Sequence, residues 1–285
     1  MATLKDIRAR IKAAKNIQQI TKAMKLVAAA RLKKATDRVL EARPYADKLR
    51  DVMASLAAAG ELPSHPLLES RPVNNVGLIL VTSDRGLAGA YNTSLIRKSA
   101  DFIKEQVVPV KLLTVGKKGN LFFSKRTNNV SFNLSVPSSG ARLEDAIAVT
   151  KAARTMFESG EVDAVYVCYS KFYSAIRQVP QIVQLLPITA PEGVEVGKAA
   201  DMTFEPSAEG LLDTLLPRYF QTLVWQAMLE STASEFGARM SAMTSATDSA
   251  GKMINKLTLQ ANRERQASIT TQILEIVGGA EALNG

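Results

Sequence analysis

Two stretches with an apolar repeat in steps of three and four residues stand at opposite ends of this chain, and neither has a partner beside it in sequence. In the first, Leu4, Ile7, Ile11, Ala14, Ile17, Ile20, Met24 and Val27 lead on to Ala28, Leu32, Ala35 and Val39. This spacing predicts one helix over 3–56, opened by Thr3 and Asp6 in the manner of a capping box, with Pro44 as a kink or a change of helix. In the second, from Glu209 to Val277, the stripe runs through Leu212, Leu215, Leu216, Phe220, Leu223, Ala227 and Met228. It continues through Ala238, Ala242, Ala246, Met253, Leu257, Ala267, Leu274 and Val277, and no proline follows Pro217. Roughly sixty residues at 1.5 Å each make a helix of about 90–100 Å. Stripes this narrow suit a coiled-coil seam better than the broad face of a globular helix. The two terminal helices are each other's natural partners, in an antiparallel pair.

Between them the pattern changes. Residues 59–75 carry Gly60, Pro63, Pro66 and Pro72 and read as a linker. Val76–Thr82 is a short apolar run of the kind that forms a strand buried on both faces. Helix-like segments at 91–106, 117–126 and 142–159 then alternate with strand-like segments at 108–115, 130–134 and 162–169. The segment 178–188 alternates only in part and holds Pro180, which predicts an edge strand paired with its predecessor. The expected fold is α/β: a long antiparallel coiled coil of the terminal helices carrying an inserted Rossmann-like, mostly parallel α/β domain. The expected divisions are 1–58 for the first coiled-coil helix, 59–75 for the linker and 76–190 for the α/β domain. A connecting segment at the foot spans 191–208, and the second coiled-coil helix spans 209–285.

Composition narrows the chemistry. One cysteine, Cys168, excludes an intramolecular disulfide and any multi-cysteine metal site, and one histidine, His65, excludes a His-rich metal centre. No uncharged apolar stretch approaches the about 18 residues of a membrane span, and the basic start lacks the apolar run of a signal peptide, so a soluble, cytosolic chain is expected. Charge is concentrated. Residues 1–35 hold ten Lys and Arg side chains against Asp6 alone, which equals the whole net charge of +9. Such an arm either is a solvated helix face or seeks an acidic partner, be it nucleic acid, anionic lipid or an acid-lined protein surface.

Catalytic constellations are missing. Gly116-Lys117-Lys118-Gly119 has the wrong spacing for a phosphate loop and lacks its hydroxyl. The loop after the first strand, Ser83–Asn92 (SDRGLAGAYN), has Gly86 and Gly89 where α/β proteins bind phosphates, but two glycines without the fuller fingerprint equally make a packing turn. Cys168 lies in an apolar strand and reads as core, His65 beside Pro66 reads as surface, and Met24 on the seam reads as core. Arg263–Gln266 by itself reads as a solvated face. The residues describe a non-enzyme built as a lever, an arm or a shaft.

Three motifs in order give the chain a resemblance. MATLKDIRARIKAAKNIQQITKAMKLVAAARLKKA, the loop SDRGLAGAYN and the tail LTLQANRERQASITTQILEIVGGAEAL are similar to the γ-subunit family of F-type ATP synthases over essentially the whole chain. Ala88, Ala90, Ala261 and Gln272 depart from the family's usual Cys, Gly, Tyr and Glu, and Cys168 alone leaves no dithiol switch of the chloroplast kind. The resemblance implies a central rotor shaft, non-catalytic itself, that couples rotation of a membrane c ring to conformational cycling of catalytic β subunits. It implies as partners three α and three β subunits around one copy of this chain, the ε subunit and the c ring. It also implies that the chain binds no cofactor, Mg-ATP or Mg-ADP sitting on α and β, and that it is peripheral, on the cytoplasmic face of a bacterial membrane. Carried over by position, Met24, Lys25, Arg85, Arg265 and Gln266 are candidate contacts to β subunits. Phe204, Glu205 and Pro206 are candidate contacts to the c ring at the foot. The alternative is a basic coiled-coil arm that binds nucleic acid through phosphates, against which stands the scarcity of aromatics in the arm, Tyr45 alone within 1–56.

Overall fold

The computed structural model describes residues 3–58, 65–127, 129–189 and 208–284. In chain order the elements are α1 (Leu4–Ala58), a single 3-10 turn (Pro66–Leu68), β1 (Val76–Val81), α2 (Tyr91–Glu105), β2 (Val110–Val115) and α3 (Lys117–Phe123). There follow β3 (Val130–Leu134), α4 (Leu143–Glu158), β4 (Ala164–Phe172), β5 (Gln178–Leu186) and α5 (Ala208–Asn284). These group into two compact units, one of residues up to Val27 with those from Met240 on, the other of Ala28–Arg239.

In the first unit the ends of α1 and α5 pair antiparallel. Thr247 Oγ1 donates to Thr21 Oγ1 at 2.8 Å, and Gln18 packs over Gly251. The capping box holds as expected: Thr3 N donates to Asp6 Oδ2 at 3.1 Å and Asp6 N to Thr3 Oγ1 at 3.3 Å. The seam itself corrects the sequence reading. Along α1 one stripe of buried or half-buried positions runs Leu4, Ile7, Ile11, Ala14, Gln18, Thr21, Lys25, Ala28, Leu32, Ala35 and Val39, in strict alternation of three and four, with Met24, Ala29, Arg31 and Thr36 half-buried beside it. That is the 3.5-residue period of a supercoil, and keeping it takes the seam through Gln18, Thr21 and Lys25. Ile17, Ile20 and Val27, expected on the stripe, are 54%, 58% and 52% exposed instead. On α5 the same alternation runs Met243, Thr247, Ala250, Ile254, Leu257, Ala261 and Glu264. The register that sets Thr21 beside Thr247 puts Leu4 level with Glu264, so α1 ends there. Met253, Ala267, Leu274 and Val277, also expected in the seam, are exposed. α1 runs through Pro44 as one helix and α5 through Pro217.

The second unit is a five-stranded sheet in the order β3-β2-β1-β4-β5. The pairs β1–β2, β1–β4 and β2–β3 are parallel, and β5 closes the edge antiparallel to β4. Period-2 alternation divides the strands between two cores. On one face Val76, Leu78 and Leu80 join Leu95 of α2 and Phe123 of α3. On the other, Ile79 and Val81 pack with Val149 and Phe157 of α4, Leu49 and Met53 of α1, and Leu212, Leu216 and Phe220 of α5. Helix layers over both faces of a mostly parallel sheet explain why its strands read as continuous apolar runs. From His65 on, the linker is more structured than its prolines suggest. His65, expected at the surface, is 8% exposed and caps the 3-10 turn, its Nδ1 accepting from Leu67 N at 3.0 Å. Leu67 beneath it is fully buried in the core.

A polar belt on α5 ties that helix to the ends of the strands. Tyr91 Oη and Ser231 Oγ share a hydrogen bond of 2.9 Å, and Ser170 N donates to Ser231 Oγ at 3.3 Å. Ser234 Oγ donates to Ser170 O at 2.9 Å, and Arg239 Nη2 to Gly86 O at 3.3 Å, while Arg239 Nη1 holds Glu235 at 2.7 Å. Glu230 is less well served: it is 3% exposed and its Oε2 has no hydrogen-bond partner. Burial pushes its carboxyl pKa up, against the opposing pull of Lys171, the Phe172 backbone, Gln226 and Arg43. A raised folded-state pKa means the group's contribution is full below its unfolded value and is lost as pH rises through the folded value. Glu230→Gln is therefore expected to raise the stability of the full chain near neutral pH by about 1 kcal/mol. The gain should close below about pH 4.5, the unperturbed value, in thermal melts at both pH values. A variant less stable than the parent at neutral pH would show that the ionised carboxylate is needed.

Candidate functional site

Rossmann-like sheets bind ligands outside the carboxyl ends of the strands, where the strand order reverses. Here the order reverses at β1, with β2 on one side and β4 on the other. The crevice there is filled by the chain itself. Ser231 and Ser234 of α5 bond to Ser170 near the end of β4, Tyr91 at the start of α2 joins them, and Ala175 backs onto Gly237. A helix seated where a nucleotide would lie removes the space for one.

The loop after β1 is likewise committed to packing. Ser83 N donates to Asn92 Oδ1 at 3.0 Å, Ser83 Oγ to Arg85 O at 2.6 Å, and Ala88 is buried. Leu87 takes a left-handed φ of 63° and Gly89 one of 55°, which folds the loop back on itself. Asp84 points inward, accepting from Lys117 N at 3.0 Å, Val136 N at 3.2 Å and Ser135 Oγ. Burial works to raise its pKa, but those hydrogen bonds and the Lys117 charge outweigh it and hold the carboxyl below the usual range. An ionised carboxylate at this loop repels phosphate, so of the two readings left open by SDRGLAGAYN the packing turn stands. What the loop offers outward is Arg85, which is exposed.

The remaining sequence candidates fall at two levels of the first unit. Met24 and Lys25 are half-buried on the paired stretch, Lys25 on the seam itself. Arg265 and Gln266 are exposed and come directly after Glu264, where α5 loses its partner. Neither side chain has a hydrogen bond or ion pair among the described residues. Counting 1.5 Å per residue from the Thr21–Thr247 contact, the two levels are about 30 Å apart along the pair, so they are two contacts rather than one site. Beyond Arg265 the last turns of α5 carry Ile269, Ile273, Ile276 and Val277, all about half exposed or more, at the i, i+4, i+7, i+8 spacing of an apolar stripe. Phe204, Glu205 and Pro206 lie outside the described residues.

Cys168 is fully buried, and burial pushes its thiol up to about 11, so it is core as expected. Among the described residues no group of three or more His, Cys, Asp or Glu side chains is placed to hold a metal ion, and no helix is long and apolar enough to cross a membrane. Arg31 and Lys34 of the basic arm join Arg38, which the sequence reading did not single out, around a cavity of about 210 Å³ whose wall includes Ser139 and Thr232. Arg31 Nη1 donates to Ser138 O at 2.5 Å. Their spacing of three and seven on one helix face was the available signal.

The comparisons with known proteins agree with one another. The model of the ATP synthase family matches residues 3–283. The ATP synthase gamma chain of Desulfitobacterium hafniense is 48% identical over 283 residues, covering 99% of this chain and 100% of its own. That of Brevibacillus brevis is 46% identical over 282 residues, covering 98% of each. Among solved structures, a chain in the central stalk and c-ring structure of Tetrahymena thermophila mitochondrial ATP synthase matches 80% of this chain and 99% of its own, with a TM-score of 0.61 and 26% identity. A chain of the Euglena gracilis mitochondrial ATP synthase matches 98% of this chain and 94% of its own with a TM-score of 0.71. At 16% identity that last match speaks to the fold alone.

Proposed function

The chain belongs to the γ-chain family of ATP synthases, and from that premise we propose how its surfaces act in the central rotor shaft. It is a non-catalytic subunit that couples rotation of the membrane ring to the cycle of the catalytic sites. The observation that carries the surface assignment is the end of α5: a helix stripped of its partner after Glu264, flanked by free Arg265 and Gln266 and bearing an unpaired apolar stripe. The stripe suits an apolar sleeve formed by the surrounding α and β subunits, three of each around one copy of this chain. The free guanidinium suits a carboxylate on a β-subunit loop. The half-buried Met24 and Lys25 form a second, lower contact to an acidic loop of β, and Arg85 a third from the α/β unit.

A shaft can bias a catalytic site only through contacts that differ between that site's open and closed states. Because Arg265 points to one side of a single helix, it can face one β subunit at a time, and turning moves the contact to the next. Mg-ATP and Mg-ADP are bound by the partners, this chain supplying no cofactor. The foot, with Phe204, Glu205 and Pro206, rests on the c ring beside the ε subunit, which makes the chain peripheral on the cytoplasmic face of a bacterial membrane. The relatives favour this rotor over a nucleic-acid arm.

The test is the double substitution Arg265→Ala, Gln266→Ala in the assembled complex. Loss of one charge-assisted contact that differs between states predicts about a tenfold fall in coupled ATP synthesis, with assembly intact. Unchanged synthesis and unchanged stall torque in single-molecule rotation would remove these two residues from the coupling path.

A further inference from the structure

Between α1, α5 and the start of α4 at Leu143, within the 28–239 unit, lies a cavity of about 420 Å³, inside the range of small-molecule pockets. It arises from residue size. Ala42 and Ala46 on α1 leave a hollow opposite Gln221 and Trp225 on α5. Each wall also carries a proline next to a lining residue: Pro44 precedes Tyr45, and Pro217 precedes Arg218. Proline removes one i to i−4 hydrogen bond and crowds the preceding turn, which works against close approach of the two helices at this level.

The lining is selective. The only tryptophan of the chain, Trp225, stands there with Tyr45, whose ring is about half exposed at the rim. Arg218 contributes a guanidinium with no ion pair among the described residues, and no acidic side chain lines the cavity. Gln221 adds an amide that can donate or accept. Flat aromatic surfaces beside one unpaired fork of N–H donors match a flat apolar body carrying one carboxylate. A docked helix would need a row of apolar anchors, whereas this is a single concavity of drug-like size.

We propose that this cavity is a binding site for a small aromatic carboxylate, the ring held by Trp225 and Tyr45 and the carboxylate by Arg218. The site is separate from the rotor contacts at Met24, Lys25, Arg265 and Gln266, and it places a ligand wedge between the two long helices.

Because Trp225 is the sole tryptophan, all tryptophan emission comes from a residue that lines this cavity. Titrating the full chain with 1-naphthoate should quench that emission saturably, and neutral 1-naphthamide should bind about tenfold more weakly for want of the charge-assisted contact. Arg218→Gln, at an exposed position that leaves the fold intact by circular dichroism, should bring naphthoate down to the level of the amide. Equal binding of the two probes, or no effect of Arg218→Gln, overturns the proposal. Repeating the titration after assembly, with 7-azatryptophan carried by this chain only, separates a ligand site from a partner's socket. Retained quenching supports the ligand site; quenching lost on assembly overturns it in favour of a partner side chain filling the hollow.

Discussion

Gly116→Ala is expected to leave the full chain largely unfolded in its α/β unit. Gly116 turns the chain from β2 into α3 at φ 91° and ψ 142°, a region that side-chain-bearing residues rarely enter. A Cβ there would lie 2.3 Å from Thr82 O and 2.6 Å from Thr82 C. Those atoms cannot retreat. Thr82 N donates to Val115 O at 2.7 Å, Thr82 Oγ1 is shared between Val115 O and Gly119 N, and Gly116 N donates to Leu134 O at 2.7 Å. Backbone strain of about 1–3 kcal/mol and an overpacking cost of similar size together approach the ~5–15 kcal/mol that holds a whole domain. Gly160→Ala is the control, since Gly160 also has a positive φ, 75°, but open space where the Cβ would go. It should cost only the strain. Urea unfolding followed by circular dichroism compares them, and a Gly116→Ala midpoint no lower than that of Gly160→Ala would refute the account.

Asp163→Ala is expected to cost about 2–3 kcal/mol, the scale for leaving a part-buried guanidinium and two backbone donors without their acceptor. Arg71 Nε donates to Asp163 Oδ1 at 2.6 Å, and Arg71 Nη2 to Phe157 O at 2.6 Å and Val162 O at 2.7 Å, with its guanidinium 4.9 Å from the Phe157 ring centre. Asp163 Oδ2 accepts from Asn74 N and Asn75 N at 2.8 and 3.0 Å. The pair thus clamps the entry to β1 onto the entry to β4. Burial tends to raise the Asp163 pKa, but the two backbone donors and Arg71 outweigh it and hold the carboxyl below its ordinary 3.8. A depressed folded-state pKa gives stability that is present above the unfolded value and is lost as pH falls through the folded one. The parent should therefore lose stability as pH drops below about 3.8, and the variant, having no carboxyl there, should lose less over the same range. Parallel pH curves for the two would show that Asp163 acts through packing rather than charge.

The α/β unit was legible because its physics is carried by residue type. Val76–Thr82 and Val162–Tyr169 are apolar runs of the kind a strand covered on both faces buries, and Pro180 marked the edge strand β5. The coil was legible in kind and misread in register. Selecting apolar residues followed Ile17, Ile20 and Val27, whereas two helices that wind about each other must keep a 3.5-residue period, and that period runs through Gln18, Thr21 and Lys25. Ser231 and Ser234 gave no signal because small polar residues in a long helix read as interruptions of the seam. Their partners, Tyr91 and Ser170, are 140 and 64 residues away in sequence. His65 was hidden by its proline neighbour, which suggests a surface loop although the side chain turns inward to cap. Arg265 and Gln266 stood out only through resemblance; their exposure past the end of α1 follows from a register that two helices decide jointly.

The filling of the switch-point crevice by α5 makes that helix a permanently bound ligand of the sheet that carries it. Ligand linkage then applies: whatever binds only the folded form stabilises it according to its concentration relative to its dissociation constant. A tethered ligand has an effective concentration of about millimolar or more and is never diluted away. An excised sheet-and-helix fragment would be an apoprotein with Tyr91, Ser170 and the Gly86 carbonyl left unpaired. Every approach to unfolding by the sheet is answered by a helix that cannot leave.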